Sequence, residues 1–222
     1  MQTKTITTCA LALAVLGSGA AVHAERGDRG HEFRLFGGAR DTIDPQNSTN
    51  DVVLFDTTAT TVSGAVRKIN KRTQVDQLTN QVQLKFFFVN RTCGGGSPRI
   101  QLGIDKDGDG KFDANAFGYL GDKAFGGGCA AGQWVFEDMT DGAPKWDLSQ
   151  LGGPMTATWA QMVAFLKTTF PNHQIVNGVL VDDSCSFFAA GCGQVFFDNV
   201  TIGNRTIEDH RDTKGNEAND DD

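Results

Sequence analysis

From Gln81 to Val89 the chain alternates, with Val82, Leu84, Phe86 and Phe88 on one side of an extended backbone and Gln81, Gln83, Lys85 and Phe87 on the other. Successive side chains of a strand project to opposite faces, so a period of two puts one face in a core and leaves the other mostly in water. Further strand signals occupy Val52 to Phe55, Thr60 to Ile69, Arg99 to Ile104, Ala116 to Leu120, Gln133 to Met139, Gln174 to Val181 and Gln194 to Ile202. Gly, Asn, Asp and Pro separate them. So many short strands at this spacing predict an all-β sandwich or barrel.

One segment has a different period. Trp159, Met162, Val163, Leu166 and Phe170 recur at helical spacing, Thr158 and Gln161 form a capping box, and Pro171 stops the run. An amphipathic helix over about 158–170 is therefore expected to cover one end of the sandwich.

The ends of the chain read differently from its middle. Residues 1–24 have Lys4, an apolar stretch from Ala10 to Leu16 and a close in Val22-His23-Ala24, the order of a secretory signal peptide. No stretch supplies the roughly 20 unbroken apolar residues of a membrane helix, so no membrane insertion is expected. Removing 24 of 222 residues leaves 198, and losing Lys4 takes the formal charge from −7 to −8. That charge opposes nucleic acid and anionic lipid, and the expected location is secreted, extracellular or periplasmic. Residues 25–50 read as a loosely held N-terminal arm, whose Arg26-Gly27-Asp28 is taken as coincidence. Residues 51–203 form the β domain, and 204–222, with seven acidic and three basic side chains, a disordered acidic tail.

Four cysteines follow the signal, an even number that suits disulfides in an oxidising compartment. Cys185 and Cys192 bracket a span a hairpin can close, and Cys93 and Cys129 each sit beside a triple glycine, so the favoured pairs are Cys185–Cys192 and Cys93–Cys129. Neither spacing suits zinc.

The sharpest chemistry is Asp105-Lys106-Asp107-Gly108-Asp109-Gly110-Lys111-Phe112-Asp113. Like charges at about 4 Å repel by roughly 1 kcal/mol in water, so converging carboxylates calls for a cation. Calcium takes six to eight oxygens in flexible geometry, and acids at positions 1, 3, 5 and 9, glycine at 6 and a carbonyl at 7 can wrap it. Ala116 replaces the bidentate glutamate of an EF-hand at position 12 and the flanks read as strands, which excludes a helix-loop-helix sensor. The pattern Asp-x-Asp-x-Asp-Gly-x-x-Asp between strands resembles the calcium loops of integrin α-subunit β-propellers and is similar to thrombospondin type 3 repeats. The resemblance implies side-chain ligation by Asp105, Asp107, Asp109 and Asp113 and carbonyl ligation by Lys111.

In Val195 to Ile202, Phe196, Val200 and Ile202 are expected to share one face with Asp198. A carboxylate there needs a second calcium, backbone N–H donors at a bulge, or an arginine. The run Val-Phe-Phe-Asp-Asn-Val-Thr-Ile resembles the closing strand of jelly-roll carbohydrate-binding modules and galactose-binding-like sandwiches, and equally many extracellular β-sandwiches of unknown role. The resemblance implies a jelly-roll-type antiparallel β-sandwich.

A sugar site needs exposed rings, yet Trp134 with Phe136, Trp146 with Leu148, Tyr119 with Phe117, and Trp159 on the helix stripe all read as core. Glu137-Asp138, Asp141 and Asp182-Asp183 read as turn or solvated-edge acids, because neighbours on a strand point apart. His31, His173 and His210 read as arm, surface-loop and tail residues, with no Gly-x-Ser-x-Gly elbow beside them. The expected function is a non-enzymatic, calcium-stabilised binding or surface-associated module, its partner an extracellular glycan or cell-surface component. The alternatives are a glycosidase-like hydrolase using acids near Asp182 and Asp183, or a structural matrix protein.

Overall fold

The computed structural model describes residues 33–70, 72–94, 96–120, 129–186 and 192–207. The signal segment, Arg26-Gly27-Asp28, His31, His210 and most of the acidic tail lie outside them.

Eleven strands are described: β1 (Arg34–Gly37), β2 (Ala39–Asp44), β3 (Asn47–Thr57), β4 (Ser63–Lys68), β5 (Val82–Phe88), β6 (Arg99–Asp105), β7 (Ala114–Tyr119), β8 (Trp134–Asp138), β9 (Trp146–Asp147), β10 (Gln174–Asp182) and β11 (Gly193–Ile202). They form two antiparallel sheets, ordered β1-β4-β10-β6-β7-β9 and β2-β3-β11-β5-β8. This is the expected all-β sandwich. Val82, Leu84, Phe86 and Phe88 enter the central core, where the tilted rings of Phe55 and Phe197 pack with centroids 4.7 Å apart and those of Trp146 and Trp159 5.4 Å apart.

The expected arm is corrected from Phe33 onward. β1 pairs with β4, β2 pairs with β3, and Phe33 joins the core. Both strands are largely exposed at sheet edges and are held by backbone hydrogen bonds, so they carry no apolar alternation to read. The expected tail is also anchored at its start. Ile207 donates its backbone N–H to Val200 O at 2.8 Å, and Arg67 donates to the Asn204 side chain at 2.7 Å.

Helix α1 spans Trp159–Thr169, with the Thr158 and Gln161 capping box formed and Trp159, Met162 and Leu166 buried. Trp159 Nε1 donates to Thr79 Oγ1 at 3.0 Å, and Lys167 pairs with Asp76, tying the helix to a 3₁₀ turn at Val75–Leu78. His173, expected on a surface loop, is fully buried beneath this junction. Its Nδ1 donates to Phe170 O at 2.8 Å and its Nε2 accepts the Val75 N–H at 3.3 Å. The helix end and the 3₁₀ turn thus engage both ring nitrogens, which makes this histidine structural.

The phase of β11 differs from the expected one. Asn199 adopts φ of 50° and the register against β5 shifts between Asp198 and Thr201. The extra residue reverses the alternation, so Val195, Phe197, Val200 and Ile202 face the core while Phe196 and Asp198 face outward. Asp198 accepts a bond from the Asn199 amide at 3.1 Å.

The single tyrosine of the chain, Tyr119, donates to Asp147 Oδ2 at 3.2 Å and is 7% exposed. Burial, reinforced by Asp147, pushes its hydroxyl up to about 12. A folded value above the unfolded value of about 10 means this contribution is complete below pH 10 and is lost as pH rises through about 12. Tyrosinate absorbance should therefore rise with a midpoint about two pH units higher in the folded protein than in denaturant. A folded midpoint near 10 would place the ring in solvent.

Candidate metal centre

β6 and β7 form a hairpin, with Ile104 opposite Ala114 and Asp113 N donating to Ile104 O at 2.9 Å. The acidic loop closes it. Asp105, fully buried at the end of β6, organises the loop: its Oδ1 accepts the N–H groups of Asp107 at 3.2 Å and Gly108 at 2.7 Å, and its Oδ2 that of Gly110 at 2.6 Å. Gly108 and Gly110 have φ of 83° and 86°, left-handed angles that suit glycine and let the chain curl around this carboxylate. Asp107 and Asp109 receive the N–H groups two residues on, at 3.1 and 2.8 Å.

The curl brings three of the expected ligands together. One oxygen each from Asp105, Asp107 and Asp109 lies within 4.8 Å of the others, a cluster able to hold a metal ion. Asp113 lies apart, its Oδ2 accepting the Lys106 N–H at 2.7 Å. Lys111, expected to offer its carbonyl, also brings its ammonium to Asp109. That hydrogen bond holds the Asp109 carboxyl below the usual carboxylate range and pushes the Lys111 ammonium up. The lysine side chain is 80% exposed, so water screens the pair and the ammonium can swing aside.

Both expected disulfides are present, Cys93–Cys129 with Cα atoms 5.3 Å apart and Cys185–Cys192 at 4.3 Å.

Of the acids read as turn or solvated-edge residues, Asp141 lies in an exposed turn, but Asp182, Asp183 and Glu137 are enclosed and paired. Asp182 is fully buried and takes both arms of Arg91, at 2.6 and 3.1 Å, with hydroxyls from Thr57, Ser97 and Ser184 around it. Asp183 takes both arms of Arg99 at 2.7 and 2.8 Å. Buried Glu137 shares the Lys145 ammonium with Asp141. Burial pulls that ammonium down most strongly, but the two carboxylates together outweigh it and hold it up. Carboxylates engaged in this way are poorly placed for the acid and base roles of a glycosidase.

Trp146, Trp159 and Tyr119 are buried as expected, but Trp134 and Phe136 are not in the core. Trp134 is half-buried on the outer face of its sheet and Phe136 is 58% exposed, because β8 turns Val135 and Glu137 inward. Sequence alone shows that Trp134 and Phe136 share a face but not which face is inside. Set against protein-family models, curated proteins and solved structures, the chain matches none.

Proposed function

We propose that the chain is a secreted, calcium-stabilised module that binds an extracellular glycan or another cell-surface component without cleaving it. The observation that carries the calcium reading is the convergence of Asp105, Asp107 and Asp109 oxygens within 4.8 Å. Calcium binds oxygen at 2.3–2.6 Å, so two oxygens on opposite sides of one ion are about 4.8 Å apart and all three fit a single shell. Asp113 keeps one carboxylate oxygen outside its bond to Lys106, and the Lys111 carbonyl follows at the position the nine-residue pattern uses. An exposed loop of carboxylates and carbonyls suits the flexible shell of calcium better than the strict octahedron of magnesium. Two disulfides fit the same oxidising, calcium-containing surroundings.

An ion here is structural in this reading: it neutralises the tip of the β6–β7 hairpin. Without a position 12 glutamate the dissociation constant should be on the order of 10⁻⁴ to 10⁻³ M. Calcium at a hundredfold excess over that value should stabilise the fold by about 2.7 kcal/mol, raising the melting temperature by roughly 5 to 11 °C. Asp107→Asn with Asp109→Asn should remove that increment. Equal melting temperatures in calcium and in chelator would reduce the loop to an acidic turn held by its own N–H bonds.

A further inference from the structure

The outer face of the five-stranded sheet carries two rows of side chains. Leu54, Phe196, Phe87 and Trp134 are neighbours across β3, β11, β5 and β8, and with Val52 they build an apolar cluster separate from the main core. In the next row, Asp198, Lys85 and Phe136 are paired across β11, β5 and β8. Residues directly opposite in an antiparallel ladder share a face, so both rows look outward together.

β2 and β8 are opposite edges of this sheet, yet they touch. Trp134 Nε1 donates to Asp44 Oδ1 at 3.2 Å, and Gln46 Nε2 reaches Gly132 O at 3.4 Å. The end of the β2–β3 hairpin must therefore cross over β11 and β5. Its geometry permits this, since the β2–β3 register slips after Ile43 and β3 pairs with β11 only from Val53 to Thr57. The crossing buries Leu54, Phe196 and Phe87 and leaves half-buried Trp134 and the second row in a groove of about 370 Å³ between the hairpin end and β8.

The groove combines an apolar ring with polar groups still open to a ligand. Phe136 is 58% exposed beside the half-buried indole of Trp134. The Lys85 ammonium has no hydrogen-bond or ion-pair partner among the described residues. Among the described residues Asp198 accepts only the Asn199 amide, at one oxygen, and Asn50, bonded through its nitrogen to Asp44 at 3.3 Å, keeps its carbonyl oxygen. An aromatic ring next to open donors and acceptors suits a ligand that has an apolar C–H face and a rim of hydroxyls, which is the surface of a sugar ring. Asp44 and Asp198 against Lys85 leave the groove net negative, which opposes uronates and sulfated sugars.

We infer that this groove is a binding site for a neutral polysaccharide, stacked on Phe136 and Trp134 and hydrogen-bonded by Lys85, Asp198 and Asn50. The inference rests on the binding-module reading but not on its calcium, because the acidic loop belongs to the other sheet. Affinity electrophoresis of the full chain tests it in gels containing xylan, mannan, mixed-linkage β-glucan or polygalacturonate. Retardation is expected in at least one neutral gel and not in polygalacturonate. Phe136→Ala, which removes an exposed ring, and separately Asp198→Asn should weaken retardation about tenfold with the melting temperature kept. If Phe136→Ala lowers the melting temperature, Asp198→Asn and Lys85→Ala decide the matter. Retardation in no gel, or in polygalacturonate alone, overturns the inference. Retardation in a neutral gel that survives the groove substitutions also overturns it, while leaving the glycan-binding reading in place.

Discussion

Asp182→Ala should lower the stability of the fold by about 3 to 5 kcal/mol, a fall of roughly 6 to 20 °C in melting temperature. The reason is the company Asp182 keeps. Its carboxylate is fully buried, receives two bonds from the equally enclosed Arg91 and is ringed by Thr57, Ser97 and Ser184. These groups come from β3, β10, the 3₁₀ turn just after β10 and the segment between β5 and β6, so one carboxylate ties both sheets together. Arg91 also lies over the Phe88 ring at 5.2 Å and donates to Ser184 Oγ at 2.9 Å. Removing the carboxylate strands a guanidinium in a place water does not reach, and that uncompensated charge is the main part of the loss. Arg91→Met combined with Asp182→Leu removes both charges and should recover most of the stability. Thermal unfolding followed by circular dichroism measures both. A single variant within 1 kcal/mol of the parent would show that the network is not a lock.

Breaking the two disulfides should have unequal effects. Cys93 and Cys129 are 36 residues apart, Cys185 and Cys192 only 7. A cross-link stabilises chiefly by restricting the unfolded chain, so the paired alanine variant should lose about 4 kcal/mol for the long loop and about 2.5 kcal/mol for the short one. The long link joins the start of the β5–β6 connection to the segment entering β8 and is itself part of the core. Denaturant unfolding of each double variant checks the order. A larger loss from the Cys185–Cys192 pair would mean that native-state packing, not chain entropy, dominates at these sites.

The strand pairs that flank the acidic loop, the capping box of α1 and the four inward residues of β5 were all visible, because each is set by contacts within a few positions. Three carboxylates of the loop converge as their spacing implies, since Asp105 and the two left-handed glycines form the curl locally. Asp113 is not in that cluster; it accepts the Lys106 amide across the loop.

Where local pattern misleads, the deciding partner is distant in sequence. β1 and β2 look like a polar arm until the ladders of β4 and β3 are laid beside them. Asp182 looks like a surface acid until Arg91, 91 residues earlier, is brought against it. Trp134 and Phe136 share a face as their spacing requires, but the position of the opposite sheet determines that this face points outward.

By itself, the order of residues determined the strand-rich class, the capped helix and the acidic turn, and favoured the cysteine pairs, all through short-range periodicity, chain geometry and charge. Only the tertiary structure decided which side of each strand is inside, where one residue at Asn199 reverses that choice, and which buried acid meets which arginine. The physical reason is that alternation specifies two faces without naming the buried one. That choice is made by the apolar area of the partner sheet and by the need to pair every charge it encloses.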